Sequence, residues 1–313
     1  MAQAAPQDVP FWQFPVVAAA FCACLAVWWV VATRLRQGRA VLPREPRREV
    51  PWEGIDLILV MAVYVALVSV ALLLAYVCLG PEAGLPPAVQ DLDKSTSAHL
   101  VEQLIERGSG WIILICVFSA GVVAPIVEEF FFRLLLQGWL EKTQRRMRRM
   151  MPTLRRLVPG AVGPIVLTSL LFARMHFRDD SPLARLDYLV FMLAGDAVAR
   201  LLTMAFAVWL LRLRVGATAE DLGWVPEKLA DDVKLGLMAF AGLAAPVYAA
   251  QITLTLLLPK YLAPDPFVLF FFSLALGTLY YRTHRLVPAI VLHMALNVTS
   301  LILLWMMLVF PGG

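Results

Sequence analysis

Runs of roughly 18 or more apolar residues recur along this chain, and that length is what an α-helix needs to cross a hydrocarbon core about 30 Å thick. Inside such a core no water satisfies backbone N–H and C=O groups, so only helices or a closed barrel can span it. The runs are continuously apolar and do not alternate over ten residues, which predicts helices. Spans follow at about 14–33, 56–79, 111–140, 160–177, 187–211, 234–258, 266–281 and 286–309. Residues 1–313 are therefore expected to form one all-α membrane domain, a polytopic integral helical bundle with about eight transmembrane helices. The apolar share of 60% lies above the ~45–50% of soluble domains and agrees with this reading.

Most charges fall between the runs. The first connection carries Arg34, Arg36, Arg39, Arg44, Arg47 and Arg48, and the third carries Lys142 and six arginines from Arg145 to Arg156. The loop between them holds Glu82, Asp91, Asp93, Glu102 and Glu106, and ends in "AHLVEQLIERG", which reads as a helix lying on the outer surface. By the positive-inside bias, the arginine-rich loops are expected on the cytoplasmic face of a cell membrane, with both termini outside. The net charge of +4 thus reports orientation, and no nucleic-acid partner is expected. Cys22, Cys24, Cys78 and Cys116 all lie in apolar runs without metal-finger spacing and read as small hydrophobes.

A few ionisable side chains remain inside the runs, where a charge costs roughly 2.5–3.5 kcal/mol near a helix centre and is a functional-site hypothesis by default. The stretch "VEEFFFRLLL" holds Glu128, Glu129 and Arg133. Glu129 and Arg133 are four apart and share a helix face, whereas Glu128 is turned about 100° away. That spacing lets one carboxylate pair with the arginine while the other faces a different neighbour. "FARMH" places Phe172 one turn before His176, and "HMALN" sets His293 and Asn297 on one face. Asp196 and Arg200 form a further pair at the same spacing, read as a structural bridge. Pro125, three residues before Glu128, removes a backbone donor and is expected to kink the span.

A carboxylate, two imidazoles and an amide suit a hydrolase that activates water. The carboxylate with a nearby histidine takes a proton and returns it to a leaving amine, while donors elsewhere hold the oxyanion. No nucleophile elbow, zincin helix or phosphate loop is present in the sequence. The same residues could instead line a proton or ion pathway, or belong to an inactive immunity or scaffold protein.

The order "EEFFFR", "FARMH", "HMALN" resembles the EExxxR, FxxxH and HxxxN motifs of the CAAX protease and bacteriocin-processing family of intramembrane endopeptidases. The stretch "LGTLYYRTHRLVPAIVLHMALN" extends the likeness. The motifs occupy the spans at about 111–140, 160–177 and 286–309, with additional spans over 187–258 between the second and third. The resemblance implies a membrane hydrolase cleaving a peptide bond in a membrane-associated or lipidated protein or peptide. It implies Glu128 as general base beside His176, His293 and Asn297 as the oxyanion hole, and Glu129, Arg133 and Phe172 in support. It also leaves a metal-dependent version open, with Zn2+ on Glu128, His176 and His293.

Overall fold

Continuous apolar sequence becomes helix throughout. A computed structural model describes residues 13–46, 48–80, 104–105, 108–151, 160–176, 186–257 and 265–309. Its long helices are α1 (Gln13–Arg36), α2 (Gly54–Leu79), α3 (Gly110–Met150), α4 (Val162–Met175), α5 (Leu186–Val215), α6 (Leu229–Leu257), α7 (Asp265–Thr283) and α8 (Val287–Val309). No strand occurs among the described residues. Six of these helices are long and apolar enough to cross a membrane, namely α1, α2, α3, α5, α6 and α8. The fourth span, expected at about 160–177, is the 14-residue helix α4, roughly 21 Å long, with His176 at its C-terminal cap. Apart from Leu104, Ile105 and Gly108, the expected surface helix "AHLVEQLIERG" lies outside the described residues.

The helices pack mainly on partners distant in sequence, α2 on α5, α4 on α7, and α6 on α1 and α8, while the described connections meet at one end of the bundle. There Lys142 binds Glu53 at 2.8 Å, Arg149 binds Glu49 at 2.8 Å, and Arg148 donates to the Gly160 carbonyl. Glu45 accepts from Lys228 at 2.7 Å, its N–H donates to the Arg282 carbonyl, and the Leu286 N–H donates to Gly223. Arginine-rich loops thus share one end, and α1 begins and α8 finishes at the other.

Side chains of the loops also enter the bundle. Trp52 is fully buried and its indole donates to the Leu135 carbonyl, which anchors the start of α2 against α3. Around it Leu57, Leu134, Leu211 and Tyr280 form the largest apolar core. A second core joins Phe272 and Leu276 of α7 to Leu292 and Leu296 of α8. These two clusters fix α3, α7 and α8, the helices that carry most of the intramembrane polar groups.

Candidate active site

The carboxylates stand on a helix with two wide turns. Within α3, i→i+5 segments at Ser119–Val123 and Phe130–Gln137 flank the short α stretch Ala124–Glu129. Wide turns of this kind are frequent at functional sites. The cause is partly readable. The Ala124 N–H bonds back five residues to Ser119, and the next residue is Pro125, which has no N–H. The Ala120 carbonyl is thereby left without its usual helical donor. Asn297 supplies one: its side-chain amide donates to Ala120 at 3.0 Å.

Glu129 is completely engaged. One carboxylate oxygen accepts from Arg133 Nε at 3.2 Å and the other meets His293 Nδ1 at 2.9 Å, with Glu129 and Arg133 both at zero exposure. Arg133 goes on to Thr168 Oγ1 at 3.3 Å and Ser273 Oγ at 2.6 Å, so it ties α3 to α4 and α7. The approach of α7 depends on Gly277. A Cβ there would sit 3.0 Å from the Gln137 amide oxygen and 3.3 Å from Arg133.

Glu128 is placed differently. Arg200 donates to its Oε1 at 2.9 Å, while its buried Oε2 has no hydrogen-bond partner among the described residues. Towards that free oxygen come His176 Nε2 at 3.6 Å and His293 Nε2 at 4.0 Å. His176 caps the end of α4, and its Nδ1 meets the Phe172 carbonyl at 2.8 Å, one of the last-turn carbonyls a helix leaves unpaired. The Phe172 ring lies 4.5 Å from His176 and 5.6 Å from His293, walling both.

A carbonyl and a carboxylate only accept, so each histidine carries a hydrogen on Nδ1. Both Nε2 atoms therefore face Glu128 Oε2, and the space between them suits a water molecule that donates to that oxygen.

His293 lies only five residues past Pro288, near the start of α8, yet it reaches the carboxylates. Thr283, Arg285, Leu286 and Val287 are all buried beneath the connecting loops, so α8 starts inside the protein.

One site residue was misjudged from sequence. Arg200 does pair with Asp196, at 2.6 Å, but it also holds Glu128, and the Tyr64 hydroxyl donates to Asp196 at 3.0 Å. The pair is thus part of the site and not only a bridge within α5. A cavity of about 440 Å³ opens beside it, with Glu128, His176, Arg200 and Tyr64 in a wall otherwise made of residues such as Met61, Phe131 and Met204. His293 and Asn297 are not in that wall.

The residues do not fit the Zn2+ that the resemblance left open. Among the described residues no three His, Cys, Asp or Glu side chains stand in a metal-holding group. A guanidinium already lies on Glu128, where a dication would meet like-charge repulsion.

Comparison with known proteins decides the family. A model described as "Type II CAAX prenyl endopeptidase Rce1-like" matches residues 110–299, well over half of the chain. The chain belongs to this family. All three motifs fall within the match, and so do the helices between the second and third. The family is one of membrane CAAX proteases, in keeping with the helical architecture. Among curated proteins and among solved structures, none matches the chain.

Proposed function

We propose that this protein is an intramembrane endopeptidase in which Glu128 activates water against a peptide bond of a membrane-associated, lipidated substrate. The observation that carries this is the division between the two carboxylates. Glu129 has both oxygens occupied, whereas Glu128 keeps one oxygen free, buried and faced by two imidazoles.

Water held beside Glu128 Oε2 donates to that oxygen and to His176 Nε2. As its oxygen attacks the scissile carbonyl, one proton moves to Glu128, and His176 helps pass it to the leaving amine. His293, protonated on both nitrogens, gives its Nε2 hydrogen to the oxyanion, with Glu129 stabilising the imidazolium from behind. Arg200 holds Glu128 in position by donating to its Oε1, which leaves Oε2 turned to the histidines. Asn297 acts by fixing α8 to Ala120, which sets His293 one turn earlier. The apolar wall beside Glu128 suits a lipid-bearing peptide, and the arginine-rich end is assigned to the cytoplasmic face.

The test is direct. Purified protein in neutral micelles is incubated with a prenylated peptide ending in a CAAX sequence, and products are read by mass spectrometry. Cleavage is expected with and without a strong chelator. No cleavage of any prenylated peptide, or cleavage abolished by chelation and restored by zinc, would overturn this reading.

A further inference from the structure

We infer that the groove between α1 and α6 at the arginine-rich end is a binding site for an anionic glycerophospholipid. Helix α1 lies outside the family match and packs on α6 at Gly242, whose carbonyl accepts from the Trp28 indole at 3.0 Å. Gly242 permits this closeness, since a Cβ there would meet Val27 at 2.9 Å. Between that contact and the loop end a cavity of about 460 Å³ remains.

Its two ends differ in chemistry. Toward the bundle centre the walls are aliphatic, with Val27, Val30 and Val31 from α1 and Leu235 and Met238 from α6. Toward the loops stand Arg34, Lys228, Lys234 and Arg285, against Glu45 and Asp231. Lys228 is taken up by Glu45, and Arg285 by Asp232 at 2.8 Å. Arg34 and Lys234 have no carboxylate partner among the described residues. Asp231 lies in the first turn of α6, where the helix dipole favours a negative charge.

Two cations without a carboxylate partner among the described residues, Arg34 reaching only the Ala40 carbonyl at 3.5 Å, over an aliphatic slot match a phosphodiester headgroup followed by an acyl chain. The depth agrees, because Trp28 and Trp29 precede Arg34 by one to two turns, as aromatic residues do at a membrane interface. Basic pockets between transmembrane helices at this level commonly take anionic lipid headgroups. A free phosphate ion would use the cations and leave the aliphatic walls unfilled.

Native mass spectrometry of the full chain in neutral detergent tests this, by titration with phosphatidylglycerol or with phosphatidylcholine of the same acyl chains. The wild type is expected to retain phosphatidylglycerol in preference. Arg34→Gln with Lys234→Gln should weaken retention about tenfold or more, given ~1 kcal/mol per basic group near a lipid surface. The charge-preserving pair Arg34→Lys with Lys234→Arg should restore it. Equal retention by the glutamine pair, equal retention of both lipids, or displacement of phosphatidylglycerol by inorganic phosphate would each overturn the site. The measurement does not involve peptide cleavage, so it stands or falls apart from the protease reading.

Discussion

Adjacent glutamates on a helix face different neighbours, and here that rotation separates two jobs. Glu129 sits in a closed ion pair with no exposure, where removing one charge leaves its partner buried and uncompensated. Glu129→Gln is expected to destabilise the fold by about 3–5 kcal/mol, read as a large fall in the thermal midpoint in micelles. Arg200→Gln should lower the midpoint less than Glu129→Gln, because the Arg200 side chain is 22% exposed at the cavity although Glu128 beside it is buried. It should lower kcat tenfold or more with KM little changed, and Arg200→Lys should recover part of the loss. At this scale the sequence was informative about Glu128, Glu129, Arg133 and both histidines, since charges are costly in apolar runs. It could not show that Arg200 reaches Glu128 across 72 positions, because an i,i+4 acid–base pair looks self-sufficient.

Helix α3 would be one uninterrupted rod if hydropathy alone governed it. Its first wide turn lies where Pro125 withholds a donor and Asn297 compensates the freed Ala120 carbonyl. Asn297→Ala is accordingly expected to cost about 1 kcal/mol of stability, the net worth of a part-buried hydrogen bond, as well as activity. A variant with lost cleavage but an unchanged thermal midpoint would move Asn297 to the oxyanion instead. Gly277→Ala should push Gln137 and Arg133 aside and lower both stability and turnover, since α7 has no free space there. The sequence located Pro125 and Asn297, but not their connection. That contact exists only once α3 and α8 are packed, 177 residues apart in the chain.

The bundle as a whole gathers its arginine-rich connections at one end and brings α2, α3, α4, α5, α7 and α8 to one site. Helix α2 lies outside the family match, yet Tyr64 and Met61 complete the cavity wall and Trp52 anchors its start. A chain shortened to residues 110–313 should therefore lose activity with the motifs intact. At the loop end, the Lys228 ammonium holds the Glu45 carboxyl below the usual carboxylate range. This contribution is fully present above a pH of about 4.5 and is lost as the pH falls through the lowered value. Amide exchange in residues 37–46 should quicken on acidification, and Glu45→Gln should remove that dependence. Helical architecture and the motif-bearing spans were legible from sequence because bilayer length and charge cost are strong constraints. Which helices enclose the cavity was not, since apolar faces carry little pairing information.

Cleavage of a prenylated CAAX peptide by wild type and Glu128→Gln, both purified in the same micelles, tests the central claim most directly. Loss of a general base predicts a fall in kcat of about 10²–10⁴-fold, with folding and lipid retention unchanged. Full cleavage by the Glu128→Gln protein would contradict the account, because no other carboxylate in the described site has an oxygen free to receive the proton.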